Sequence, residues 1–214
     1  LERRVVHFLA HEAGLPVRDR NVLIVSAMDR FGMAESFHEE GARLTLGDLI
    51  FALGIDIPIH SLRTLDVLAR IAVPVVVQLP FEMLYPVGSE QEKIDNKPKY
   101  AKYYLNSDWI AGDWHYIHRH LPDQLRGQMI LTNTVTAKDV DLLRARGASL
   151  LVTTTPELEG RSFGTNVMEA LLVAASGRRP EELTTNDYER LLDELGFRPR
   201  VEPLSPLGDK EVVQ

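Results

Sequence analysis

The stretch Asn21–Ala34 constrains the fold more than any other part of the chain. Val22 to Ser26 form a short apolar, β-branched run without a charge, the composition of a strand buried on both faces of a parallel sheet. The residues that follow change character at once. Small, polar and basic side chains and one glycine, Gly32, lead into a helical pattern through Met33, Ala34 and Phe37 that stops at Gly41. A second strand at Arg43–Leu46 ends in Gly47-Asp48. Strand, tight turn, helix and strand open a βαβ unit. In nucleotide-binding folds that first turn receives a pyrophosphate, because unpaired helix N–H groups point at it.

The rest of the chain repeats the alternation. Residues 1–13 read as a helix closed by Gly14, and Leu49–Leu53 as a short helical piece. Behind a Ser61 cap, Leu62, Leu65, Leu68, Ala69 and Ala72 recur at helical spacing. Pro74–Gln78 reads as a third strand. A long connection from Leu79 to Ser107 follows, helical over Lys99–Leu105 and long enough to serve as a lid. Trp109–Gly112, Met129–Thr132 and Leu150–Thr153 read as strands four to six. Thr136 and Asp139 form a capping box for a helix that stops at Gly147, and two further helices cover Thr165–Ser176 and Asp187–Leu195.

Six strands alternating with helices predict a doubly wound, mostly parallel sheet with helices on both faces. The long link between strands three and four favours the Rossmann-like order 3-2-1-4-5-6. The expected division is a domain over 1–196, with 1–14 as a leading helix, and an extension over 197–214 marked by Pro199, Pro203 and Pro206.

With 214 residues, 44% of them hydrophobic, the chain can bury a sizeable core. It has no cysteine, which excludes disulfides, zinc–thiolate sites and a cysteine nucleophile and agrees with a cytoplasmic setting. A net charge of −7 argues against a general nucleic-acid binder. There is neither a signal peptide nor an apolar run of about 20 residues, so no membrane partner is expected. The opening Leu1-Glu2-Arg3-Arg4 lacks an initiating Met and enters helical periodicity directly, as in a fragment cut at a domain boundary.

The connections are lopsided. Those leaving the helices are lean, whereas those leaving the strands carry the unusual residues: Ser26–Gly32, Gly47-Asp48, Gln78–Phe81, Asp113–His120, Asn133–Thr136 and Thr154–Asn166. Ligands of open α/β sheets bind outside the carboxyl ends of the strands, so these loops should line one rim. The first loop departs from G-x-G-x-x-G. Ser26 stands at the first glycine position, Met28, Asp29 and Arg30 fill the middle, and only Gly32 remains for a close approach. Arg30 would meet phosphate through its guanidinium. Asp48 ends the second strand, where it either accepts from a ribose, which favours NAD over NADP, or caps the next helix. Arg161, Ser162, Gly164, Thr165 and Asn166 precede an apolar helix and read as an anion site at its N-terminus, with Ser162 or Thr165 as a plain cap the alternative.

His115 with Asp113 is the acid/base candidate, since both sit nearest the expected end of the fourth strand. A metal reading of Asp113, His115, His118 and His120 requires the segment to bend, and an ordinary helix start accounts for it better. Lys97, Lys99 and Lys102 with Tyr100, Tyr103 and Tyr104 offer either proton transfer or a solvated face.

Asp29-Arg-Phe-Gly-Met-Ala-Glu35, Gly-Asp-Trp-His115, Thr-Asn-Thr-Val-Thr136 and the long run Thr-Thr-Thr-Pro-Glu-Leu-Glu-Gly-Arg-Ser-Phe-Gly-Thr-Asn-Val-Met-Glu169 resemble a bacterial family of proteins labelled quinate 5-dehydrogenase. The resemblance covers nearly the whole chain. It implies NAD(P)-dependent oxidation of a cyclic polyol acid, hence a dinucleotide and a small acidic substrate as partners, with a homodimer expected. Shikimate and quinate dehydrogenases place their catalytic lysine and aspartate in an N-terminal substrate domain, so none of those residues is carried over to this chain. The rival expectations are a non-catalytic anion- or nucleotide-binding module, and a transferase or hydrolase that handles a phosphorylated metabolite through Arg30, Arg161 and His115.

Overall fold

The computed structural model describes residues 1–76, 100–158 and 161–204. Helix α1 (Glu2–His11) precedes β1 (Asn21–Ile24), α2 (Phe31–Glu39), β2 (Arg43–Leu46), the short α3 (Asp48–Phe51) and α4 (Leu62–Val76). Then come α5 (Ala101–Leu105), β3 (Trp109–Ala111), α6 (Trp114–Arg119), β4 (Met129–Thr132), α7 (Ala137–Ala145) and β5 (Leu150–Thr153). A two-stranded ribbon of β6 (Glu157–Leu158) and β7 (Arg161–Ser162) leads to α8 (Thr165–Ser176), α9 (Thr185–Glu194) and β8 (Arg200–Pro203).

The main sheet runs β2-β1-β3-β4-β5-β8, parallel from β2 to β5 and closed by β8 antiparallel to β5. The doubly wound, mostly parallel α/β class expected from the alternation is what the chain adopts. Alternation along β1 divides the core. Val22 and Ile24 face α1 and α2 with Trp109 and Ala111, while Leu23 and Val25 face α3, α5, α6 and α7 with Ile110, Ile130 and Leu151. Helices therefore cover both faces. Phe37 of α2 packs 6.4 Å from the Trp109 ring, whose Nε1 donates to the Pro16 carbonyl at 2.8 Å. A satellite core of Met168, Leu172, Leu192 and Phe197 joins α8 to α9.

Two expectations are corrected. The third strand at Pro74–Gln78 does not form over its described part, because α4 runs through Pro74 to Val76; Val77 and Gln78 lie outside the described residues. A short β-branched apolar run does not by itself distinguish a strand from the end of a buried helix, and here the helical spacing from Leu62 prevails. Among the described residues the order 3-2-1-4-5-6 therefore lacks its outer member, the remaining expected strands keep their relative places, and the sixth member is β8 at the opposite edge. Residues 200–203, read as part of an appended extension, are thus built into the sheet, and Leu204 is buried beside them. Most of the expected lid, including Lys97 and Lys99, lies outside the described residues. No helix among the described residues is long and apolar enough to cross a membrane.

Candidate functional site: a cleft at the switch point

From β1 the chain turns to β2 on one side of the sheet, while β3 lies on the other. The strand order reverses between β1 and β3, and an open α/β sheet forms a crevice at such a point. Here the crevice is a cleft of about 460 Å³ walled by Asp29 and Arg30 after β1, Asp113 and His115 after β3, Asn133 and Thr134 after β4, and Gly164, Thr165 and Asn166 at the start of α8; Glu2 of α1 closes the remaining side. Seven of the residues singled out in the sequence meet here.

The walls are stitched to each other. Asp113 caps α6: its Oδ1 accepts from the His115 amide at 2.9 Å, while Oδ2 accepts from Arg30 Nη2 at 3.2 Å and Asn133 Nδ2 at 3.4 Å. Asn133 Oδ1 in turn accepts from the Trp114 amide at 3.3 Å, and Ser26 Oγ accepts from the Asp113 amide at 3.5 Å. Gly112 makes this closeness feasible. Its φ is +132°, and a Cβ there would lie 2.7 Å from Val25 Cγ2. Thr134 holds the opposite wall at φ +25°, a backbone state that a β-branched residue adopts only when its surroundings impose it.

Arg30 is the only cation among the arginines and lysines lining the cleft, and it is already engaged. Its Nη1 pairs with Glu2 and its Nη2 with Asp113, with the side chain only 11% exposed. Burial works against its charge, but the two carboxylates more than offset this and hold its pKa above the ordinary value. The open phosphate-binding guanidinium expected from the sequence is therefore a bridging one. Asp29 faces the solvent side, where desolvation by the cleft walls raises its carboxyl despite the neighbouring Arg30. Three carboxylates surround one guanidinium, so the walls beside Arg30 suit hydroxyl groups, whereas the uncapped start of α8 is the part of the cleft that suits an anion.

Asp48 lies outside the cleft. It is buried, Gly47 rather than Asp48 occupies the N-cap of α3, and Oδ1 accepts from the Met28 amide at 2.8 Å. The acid at the end of β2 thus anchors the loop after β1, and burial raises its pKa. Gly32 also stands apart. A Cβ there would meet Arg3 Nε of α1 at 3.3 Å, so it serves the approach of two helices. Ser162 is buried and does not line the cleft, its amide donating to the Val135 carbonyl at 2.9 Å. The backbone of Arg161 pairs in the β6–β7 ribbon; its side chain lies outside the described residues.

Helix α8 meets the cleft with Gly164 at its N-cap, no side-chain cap and no acid in its first turn. By contrast α7 and α9 carry complete capping boxes, Thr136 with Asp139 and Thr184 with Asp187. Sequence reasoning places the loop of Asn133 and Thr134 on the rim without giving either residue a role, and it misses Glu2. Glu2 carries no such signal, because it reaches the cleft from a helix that precedes the first strand.

Fold and cleft together define a Rossmann-like α/β domain with a polar, carboxylate-rich crevice at its switch point. The chain belongs to the family described as "Domain of unknown function (DUF8754)", whose model matches residues 1–204. No curated protein matches it. A crystal structure of a protein from Mycobacterium smegmatis is similar at 12% identity with a TM-score of 0.35, covering 95% of this chain and 56% of that one. The chain therefore spans little more than half of that protein's length.

Proposed function

We propose that the switch-point cleft holds a small, hydroxyl-rich organic ligand, with a nicotinamide dinucleotide as its most specific form, and that the chain is the ligand-holding domain of a dehydrogenase-like protein. The observation that carries this reading is the convergence of Asp29, Arg30, Asp113, His115, Thr165 and Asn166 from separate strand ends on one cleft. Its volume lies within the usual range of about 300–1,000 Å³ for small-molecule sites, although it would enclose only part of a dinucleotide. Gly112 lets the exit of β3 pack closely against Val25 and Ser26 at the exit of β1.

In this reading Asp29 accepts from ribose or polyol hydroxyls, and its charge disfavours a 2′-phosphate, so NAD is preferred over NADP on the strength of Asp29 rather than Asp48. The uncapped first turn of α8 at Thr165 and Asn166 supplies N–H donors for a phosphate. Asp113 holds His115 and Arg30 in place. His115 takes the proton of a substrate hydroxyl, as in the polyol-acid oxidation that the resemblance implies. A bound nicotinamide would supply the hydride acceptor. The rival reading as a phosphoryl-handling enzyme draws less support, because Arg30 is committed to two carboxylates.

Titration with NADH and with NADPH, followed by ligand fluorescence, tests the proposal. The expected result is saturable NADH binding, weaker NADPH binding, and loss of about tenfold in affinity in Asn166→Asp, which sets a like charge against the phosphate. Absence of binding by both reduced cofactors and by NAD would overturn the dinucleotide form. Equal binding in Asn166→Asp would overturn the placement at α8.

A further inference from the structure

Outside the cleft, the far ends of α1 and α2 meet in a group of side chains that the proposed function does not use. His7 and His11 are one turn apart on α1, so both project to the same side. Glu40, at the C-cap of α2, reaches between them. His11 Nε2 lies 3.0 Å from both Glu40 oxygens and His7 Nδ1 lies 3.4 Å from Oε1, and one donor atom from each residue falls within 4.8 Å of the others. The rings face each other at 4.2 Å between centroids.

We propose that His7, His11 and Glu40 form a binding site for a divalent transition-metal ion of the zinc class, which pins α1 to α2. Three lines of argument meet here. The donor set is two imidazole nitrogens and a carboxylate without a thiolate, the combination that suits zinc and its neighbours rather than calcium or magnesium. Histidines at i and i+4 on one helix face present nitrogens to a common point, as in helical zinc sites. The spacing also fits: metal bonds of about 2.0–2.2 Å in a tetrahedron put neighbouring donors roughly 3.3 Å apart, close to the 3.0 and 3.4 Å separations here.

The surroundings agree. His7 and His11 are 64% and 53% exposed in their side chains, so an ion can enter and water can complete the coordination, while Glu40 at 18% is held more firmly. The Glu40 amide donates to the Ser36 carbonyl at 3.0 Å, which fixes the root of the carboxylate. Without an ion the cluster is held by hydrogen bonds between imidazole and carboxylate, and the ion would displace the shared protons. The same α1 carries Glu2 at its opposite end, paired with Arg30 in the cleft. An ion at the far end would therefore restrain the helix that supplies one cleft wall, whatever ligand that cleft takes.

The test is calorimetric titration of the chain with Zn²⁺ at neutral pH, repeated on His7→Ala, His11→Ala and, as a control for the other histidines, His118→Ala. Cobalt substitution gives a visible spectrum that reports the coordination directly. We expect one ion per chain, a weakening of at least about tenfold in His7→Ala and in His11→Ala, and no change in His118→Ala. Zinc should raise the melting temperature of the parent chain and not that of His11→Ala, since only the parent gains a ligand-dependent clamp. Circular dichroism confirms that the exposed substitutions leave the fold intact. No uptake by the parent chain, or affinity in His7→Ala and His11→Ala equal to that of the parent, overturns the site.

Discussion

Arg30 and Asp113 pair at 3.2 Å across the junction of β1 and β3, joining the two loops that flank the switch point. With Glu2 on its other amine, Arg30 forms a three-member bridge between α1, the first loop and the cap of α6. Removing Arg30 leaves two poorly solvated carboxylates facing each other. Arg30→Met should cost about 3 kcal/mol, at the lower end for breaking a buried pair because the cleft admits water. Urea denaturation checks this. In Arg30→Met/Glu2→Gln part of the loss should return, as a double-mutant cycle would show.

Two carboxylates should give opposite pH dependences. Burial raises Asp48 above 3.8, so the folded chain holds that proton more tightly than the unfolded one, and stability declines as pH rises from that value through the raised one. Asp48→Asn, still an acceptor for the Met28 amide, should remove this decline and gain on the parent as pH increases. Asp187 behaves in reverse. Hydrogen bonds from Thr184 lower it to about 2, so its contribution is complete above 3.8 and is lost as pH falls through about 2. Thr184→Ala keeps the amide donor and loses only the hydroxyl, so it should shrink the acid limb in part. Thermal melts across pH 2–7 would separate the two.

Substitution of glycines should rank by space rather than by sequence context. At Gly112 both the backbone and Val25 object, and at Gly47 an added Cβ would lie 2.4 Å from Phe51 Cδ2 and 3.3 Å from the Ile24 carbonyl. At Gly127 the backbone alone objects, with φ +84° and nothing within 4 Å. Gly112→Ala and Gly47→Ala should each lose roughly 2–3 kcal/mol, and Gly127→Ala about 1. Melting temperatures should fall in that order.

Thr134 sits in the cleft wall at φ +25°. Thr134→Gly should relieve that strain and raise stability by about 1 kcal/mol, while weakening any ligand that contacts the wall. Stability and affinity moving together in the same direction would refute a functional origin for the strain.

Local signals made the sheet legible where composition and position agreed. The run from Val22, the strand at Met129–Thr132 and the capping box at Thr136 needed no partner to be recognised. Pro74–Val76 misled because a β-branched run suits a strand or a helix end, and only the helix preceding it decides. Arg200–Pro203 was obscured by its prolines, which an edge strand tolerates. The cleft walls could be read because strand exits must share a rim. Their electrostatics could not, since the pairing of Arg30 with Glu2 joins residues 28 positions apart through a helix–loop contact that no spacing rule encodes.

That helix–loop contact makes the charge of the crevice adjustable. Removing the Glu2 carboxylate would free one arm of the Arg30 guanidinium toward the space between the strands, while the other arm would stay on Asp113. The domain would then greet an incoming phosphate with a different polarity, without any rearrangement of its sheet.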